Sequence, residues 1–376
     1  MRRKNPIYPC AGCLRYYPVC ANCDAFCYTR TMKSKTNNTL TALSGVQVGH
    51  STHQDKLTGC TFVLFDKPYP VAYKSYGGGP GTFNTEMLRN GKSFYRRHGL
   101  FVAGGSLTGL MSATEIMKRM IKKGIGFRNA NIINPSISGA IVFDCGTQIA
   151  QYDPIYGREA FDNVTSDPVA NGNVGAGTGT TVGKFQYVKN GTKSGAMKAG
   201  VGSARINIGD SVMVCALSVV NALGNVVRPD GTILAGNRDE TKKFKTFEDT
   251  SDFVTDGTTN TTISIVGINA DLKKRESYER VAHLASHGQV RAISPVHTSV
   301  DGDTVFVFST EENKKMLNTL GKYFETPDWP DFSVDIIGNA AAKAVQESIY
   351  SACNEAETIP LASCYKGVIP SAKDYP

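Results

Sequence analysis

Three runs of this chain are apolar and rich in β-branched residues, without the polar alternation of a half-exposed strand: "SGAIVFDCG" (138–146), "DSVMVCALSVVNALGNVV" (210–227) and "NTTISIVGINA" (260–270). A strand that reads this way must be covered on both faces. "DTVFVFST" (303–310) is a further strand-like run, and "LTALSGVQVGH" (40–50) and "GCTFVLF" (59–65) are short β-rich segments. Helical patterns lie between them. In "SLTGLMSATEIMKRMIKKG" (106–124), Leu107, Leu110, Met111, Ile116, Met120 and Ile121 recur at helical spacing. Ser106 fits an N-cap there and Gly124 a stop, and the methionines read as core. A second helix is expected at about 271–287. A third is expected near 333–351, with Val334, Ile337, Ala341, Ala344, Val345 and Ile349 on one face. Buried strands interleaved with helices predict a layered α/β architecture.

The 376 residues suffice for a full core, and 41% hydrophobic with 20% charged residues is ordinary globular composition. No run of about 18 apolar residues suggests a membrane span. The basic start "MRRKNPIYPCAGC" lacks the apolar stretch of a secretory signal, so a cytoplasmic protein is expected. The net charge of +8 is concentrated in residues 1–36, where seven basic side chains face the single acid Asp24. That arm carries +6, which leaves +2 on the rest of the chain and no sign of a nucleic-acid groove. Residues 1–38 therefore read as a Cys-rich basic arm and linker, and 39–376 as a single body. Cys10, Cys13, Cys20 and Cys23 form two Cys-x-x-Cys pairs that suit a structural zinc ion. Their six-residue separation is short for a zinc ribbon and Cys27 is surplus, so disulfides or an unstructured extension are the alternatives.

"GAGTGTTVGKF" (175–185) looks like a nucleotide-binding loop and fails as one. Phe185 stands where the Mg²⁺-binding hydroxyl is required, and Thr178 stands where the first glycine is required. Lys184 needs another role. "SYGGGPGT" (75–82) is a loop whose glycines allow close backbone approach. In "DGTTNTTISIVG" (256–267) a polar segment runs straight into a buried strand, with Thr261 at the boundary. This is a plain turn entering a strand, or the place of a nucleophile exposed by cleavage of the preceding peptide bond. A threonine hydroxyl is a weak nucleophile unless a base is at hand, and a freed α-amine would supply one on the same residue.

Eight blocks in order decide between these readings: "GVQVGH" (45–50), "TGCT" (58–61), "GGGPGT" (77–82), "VAGGSLTGL" (102–110), "GAGTGTTVGK" (175–184), "VVNALGNVV" (219–227), "NTTISIV" (260–266) and "HTSVDGDTVFVFST" (297–310). With them the body resembles the L-aminopeptidase/D-esterase (DmpA-like) family of self-processing hydrolases, and within it the nylon-oligomer (6-aminohexanoate-oligomer) hydrolases. The Cys-rich arm lies outside the resemblance.

The resemblance implies a four-layer α/β/β/α sandwich of N-terminal-nucleophile type, cut between Asn260 and Thr261 into an α-chain and a β-chain. It makes Thr261 the nucleophile and Lys184 the catalytic lysine. Asn221 becomes an oxyanion donor, and the carboxylates of Asp301 and Asp303 face the nucleophile. Without the resemblance, these residues read as a surface lysine, a backbone-satisfied asparagine and an Asp-Gly hairpin turn. His297 reads as structural. Phe143 stands where nylon-oligomer hydrolases carry a tyrosine near the site, so a hydroxyl is lost from the substrate pocket. The implied chemistry needs no cofactor, and the implied assembly is a homo-tetramer of αβ units. The substrate classes implied are ω-amino-acid oligomers or, alternatively, short peptides attacked as by an aminopeptidase. A non-enzymatic alternative is an inactive scaffold whose zinc arm binds a partner.

Overall fold

The apolar runs fold as buried strands over Ile137–Ile141, Val212–Asn221 and Thr261–Ala270. The expected strand at 210–227 breaks after Asn221, and Asn225–Val227 joins a separate small sheet. The computed structural model describes residues 36–144, 150–185, 195–239, 241–249, 260–314, 332–362 and 367–375. The paired cysteines Cys10, Cys13, Cys20 and Cys23 lie outside the described residues. Residues Asn37–Pro376 make one compact unit. Its main elements are β1 (Val46–His53), β2 (Thr58–Ser75), β3 (Arg96–Ala103), α1 (Ser112–Lys122), β4 (Ile137–Ile141), α2 (Ile155–Asp162), β5 (Val201–Ile208), β6 (Val212–Asn221), β7 (Thr261–Ala270), α3 (Arg275–Ala292), β8 (Thr304–Asn313) and α4 (Phe332–Asn354).

Two sheets share one long strand. The first half of β2 pairs antiparallel with β1 and β3, and β3 runs parallel to β4. The second half of β2 pairs with β8, which continues through β7 and β6 to β5. Only β7–β8 is parallel in this second sheet, and α3 supplies its crossover.

Alternation of side chains along each strand sorts them into three apolar layers. Val214, Ala216 and Val220 of β6, Val266 and Ile268 of β7, and Val305 and Val307 of β8 pack on α3 and α4. The opposite faces, with Leu217, Val219, Ile263, Ile265, Phe306 and Phe308, meet Val63, Leu100 and Val102 of the first sheet. The outer face of that sheet, through Phe62, Phe101 and Ile141, packs on Ile116 and Met120 of α1 and on Ala160 and Phe161 of α2. Helix, sheet, sheet, helix is the four-layer order. Because neither sheet has a solvent face, polar alternation has no place in these strands. Each fully buried Leu, Ile or Phe contributes about 1.5–3 kcal/mol.

The first helix departs from its sequence pattern. Residues Ser106–Met111 are a 3-10 turn, and the α-helix begins only at Ser112. Ser106 is not the cap: it has a positive φ of 54°, and Gly105 precedes the turn. Leu107, Met111 and Ile121 are exposed, at 70%, 56% and 48%, whereas Ile116 and Met120 are fully buried. A 3-10 turn repeats every three residues, so it rotates Leu107 and Met111 off the stripe that α1 lays on the sheet. Among the described residues, no helix is long and apolar enough to cross a membrane.

Candidate active site

The end of β7 gathers the predicted residues from four separate loops and strands. Asn260 and Thr261 are 1% and 2% exposed, at the point where the chain enters the strand. The Asn260 N–H donates to Val300 O at 2.8 Å, and the Gly302 N–H donates to Asn260 O at 2.7 Å. The Asn260–Thr261 peptide is thus clamped between two backbone bonds. The Thr261 hydroxyl donates to that same carbonyl oxygen. A hydroxyl, the carbonyl of the preceding peptide and a backbone donor to that carbonyl oxygen therefore lie together.

Asn221 sits directly across from Thr261, because β6 and β7 pair with these two residues in register. Its side chain is fixed at both ends: Oδ1 accepts from Thr181 N at 3.1 Å, and Nδ2 donates to Phe143 O at 2.9 Å. An amide nitrogen has two protons, and the bond to Phe143 O uses one of them. Phe143 thus enters the site through its backbone carbonyl, a contact that residue identity does not encode.

The glycine loop delivers Lys184. Residues Gly175–Gly177 form a 3-10 turn, and Thr181–Val182 then pairs with Met197–Lys198. Gly183 has φ +72°, and a Cβ there would come within 2.0 Å of Asn237 N, so only glycine makes this bend. Lys184 follows, half-buried, with its N–H bonded to Leu223 O and its ammonium donating to Asn221 O, both at 2.8 Å. Phe185 is fully buried against Phe247, which explains the residue that breaks the nucleotide motif.

Asp301 and Asp303 are both 1% exposed and belong to an extended loop, not a hairpin turn. The strands of an Asp-Gly hairpin would pair with each other. Here Asp301 instead bridges to Asn260 in parallel, and β8 begins only at Thr304. Asp301 Oδ2 accepts from Thr298 N at 3.0 Å and Thr298 Oγ1 at 2.5 Å, while Oδ1 takes a long bond from Leu223 N. Burial, and then the charge of neighbouring Asp303, push its carboxyl up to about 6. Asp303 Oδ1 accepts from Thr262 N at 2.5 Å. The loop Tyr76–Gly79 is laced onto these acids, with Tyr76 N donating to Asp303 O and Gly79 N to Asp301 O.

Two supporting groups escaped the sequence reading. Lys198 is fully buried and donates to Gly177 O and Ala199 O, bracing the glycine loop. Burial pushes its ammonium down to about 7. Asp144, beside Phe143, accepts from Thr58 Oγ1 at 2.6 Å and Gly105 N at 2.7 Å, and burial raises it to about 6. A lone charge inside an apolar run, as in "GAMKAGV" and "AIVFDCG", was the available signal. Among the described residues no cluster of metal-binding side chains occurs.

The family model for peptidase family S58 matches residues 38–364. An uncharacterized aminopeptidase of Mycobacterium leprae is 28% identical over 89% of this chain and 95% of its own length. The 6-aminohexanoate-oligomer endohydrolase of an Agromyces species is 27% identical over 71% of this chain and 74% of its own. Among solved structures, the L-aminopeptidase D-Ala-esterase/amidase of Ochrobactrum anthropi, described as a variant of the Ntn-hydrolase fold, superposes with a TM-score of 0.63 at 18% identity. That match covers 89% of this chain and 91% of the other. A Burkholderia β-aminopeptidase gives 0.62 at 17% identity over 89% and 90%. The shared fold, together with a family match that spans nearly all of the body, makes this chain a member of peptidase family S58.

Proposed function

We propose that the protein cuts itself between Asn260 and Thr261 and then hydrolyses small amides with Thr261 as an N-terminal nucleophile. The observation that carries this reading is the clamped Asn260 carbonyl, with the Thr261 hydroxyl against it and the Gly302 N–H on its oxygen. Attack of Oγ on that carbonyl carbon transfers the acyl group from nitrogen to oxygen and frees the Thr261 amine. Water then releases the α-chain from the ester. In turnover the same oxygen attacks a substrate amide and the amine carries the proton. Asn221 and backbone N–H groups stabilise the oxyanion, and the Lys184 ammonium adds positive charge. This chemistry needs no cofactor.

Two substrate classes follow from the relatives. Short peptides or amino-acid amides are favoured by the aminopeptidase match, which spans more of the chain. Oligomers of ω-amino acids such as 6-aminohexanoate are supported by the shorter endohydrolase match. We further propose assembly as a homo-tetramer of αβ units and a cytoplasmic setting, the latter supported by the free buried thiols of Cys60, Cys215 and Cys353.

Denaturing electrophoresis of the purified protein tests the central step. Fragments of 260 and 116 residues are expected, the smaller beginning Thr-Thr-Ile-Ser. Thr261→Ala should leave one uncut, inactive chain. A different first residue removes the nucleophile assignment. Parallel assays on amino-acid amides and on 6-aminohexanoate oligomers then separate the two substrate classes.

A further inference from the structure

His297 carries no role in the chemistry above, yet it is bonded to its acid more fully than packing requires. Its backbone N–H donates to Asp303 Oδ2 at 3.0 Å, and its ring Nδ1 meets the same oxygen at 2.9 Å. The other oxygen of Asp303 holds Thr262 N, one residue beyond the nucleophile. The contact pattern on Asp303 is that of an acceptor, so Nδ1 donates and the ring orientation is fixed. His297 has a φ of 57°, a left-handed conformation that histidine, asparagine and aspartate adopt more readily than other non-glycine residues. The ring stacks on Tyr76 at 5.1 Å, and the Tyr76 backbone N–H is itself bonded to Asp303 O. Nε2 is buried and has no protein hydrogen-bond partner among the described residues.

We propose that His297 is a positioning residue: it grips one oxygen of Asp303 so that the other fixes the start of β7, and with it the Thr261 hydroxyl. This rests on the reading of Thr261 as nucleophile. The charged and titratable groups around the ring are Asp301 and Asp303 on its own loop, Tyr76 beyond β2, and His283 on α3, which is bonded to the Tyr76 hydroxyl at 2.7 Å. His287 lies beside His283, and Lys74 and Glu279 pair between β2 and α3. The donated proton favours negative charge at this end of the loop, where burial already raises Asp301. Losing it raises Asp301 further, and the acidic limb of the rate profile moves upward.

Three full-length variants test this by the rate of Asn260–Thr261 cleavage and by kcat, KM and pH profile on an amide substrate. His297→Asn tolerates the left-handed backbone and keeps a side-chain donor, so it should stay close to wild type. His297→Gly relieves the backbone but removes the donor, and His297→Phe keeps a ring on Tyr76 without one. Both should slow cleavage and lower kcat by roughly tenfold to a hundredfold, leave KM little changed and shift the acidic limb upward. An unmoved profile in Gly and Phe, or an Asn variant as poor as Gly, overturns the positioning role. A Thr261→Ala chain that still cleaves removes the nucleophile assignment and the positioning role with it. A dead Thr261→Ala chain beside an unimpaired His297→Gly chain removes the positioning role alone.

Discussion

Asn221 shows how a single side chain is committed before chemistry begins. One amide proton and the carbonyl oxygen are already held, by Phe143 O and Thr181 N. In the proposed mechanism no reorganisation of the side chain would then be needed to point the second proton at an oxyanion. Asn221→Ala should lower kcat of the processed enzyme by about a hundredfold or more, equivalent to about 2.7–4 kcal/mol, with little change in KM. Near-normal kcat in a processed Asn221→Ala chain, measured by steady-state kinetics, would mean that the amide only braces the loops. The residue scale is also where the sequence was least legible alone. Lys184, Asn221 and the acids each had an ordinary reading, and only the resemblance assigned them to a site. Lys198 and Asp144 had no block to single them out. A lone charge in an apolar run hints at their burial, but which partners satisfy them is a property of the folded layers.

At the scale of elements, the buried strands were legible because two covered faces leave a continuous apolar run, whereas the 3-10 turn before α1 was not. Apolar spacing of three and four fits both a 3-10 turn and an α-helix over one turn, so the stripe was extended too far towards the N-terminus. The residues alone leave the acid loop open to a hairpin reading for a related reason: an Asp-Gly pair signals a turn but says nothing about what the loop pairs with. Gly302 lies at the centre of that loop. A Cβ there would come 2.9 Å from Gly79 O and 3.0 Å from Thr261 Oγ1, while its N–H must stay on the Asn260 carbonyl. Gly302→Ala should therefore slow self-cleavage far more than it lowers the melting temperature. Time courses of fragment appearance on denaturing gels, set beside thermal melts, check this. Cleavage at the wild-type rate would show that the clamp tolerates displacement.

At the scale of the molecule, stability and pH are tied through Lys198. Its ordinary value near 10.5 is pushed down to about 7 in the fold, so the unfolded chain binds its proton more tightly. The contribution to stability is then present at high pH and is lost as pH falls from about 10.5 through about 7. Lys198→Met removes the titration. The difference in melting temperature between wild type and variant should move in favour of the wild type as pH rises from 7 to 10. A constant difference would show that the ammonium is not desolvated as the burial implies.

The position of Thr261 in the second sheet also determines what kind of object the proposed cut would make. β7 is an interior strand, hydrogen-bonded to β6 from one side of the cut and to β8 from the other. Once the bond at Asn260 opens, the smaller piece cannot leave without unzipping the sheet, and the larger piece cannot keep its core without the smaller. A molecule cut in this way would be assembled by a first-order reaction of one chain. After denaturation it could reassemble only by a second-order meeting of two, each with an open apolar sheet edge prone to aggregation. The proposed processing would thus act as a ratchet: the fold would be reached once, from the precursor, and persistence afterwards would be set by the rate of unfolding.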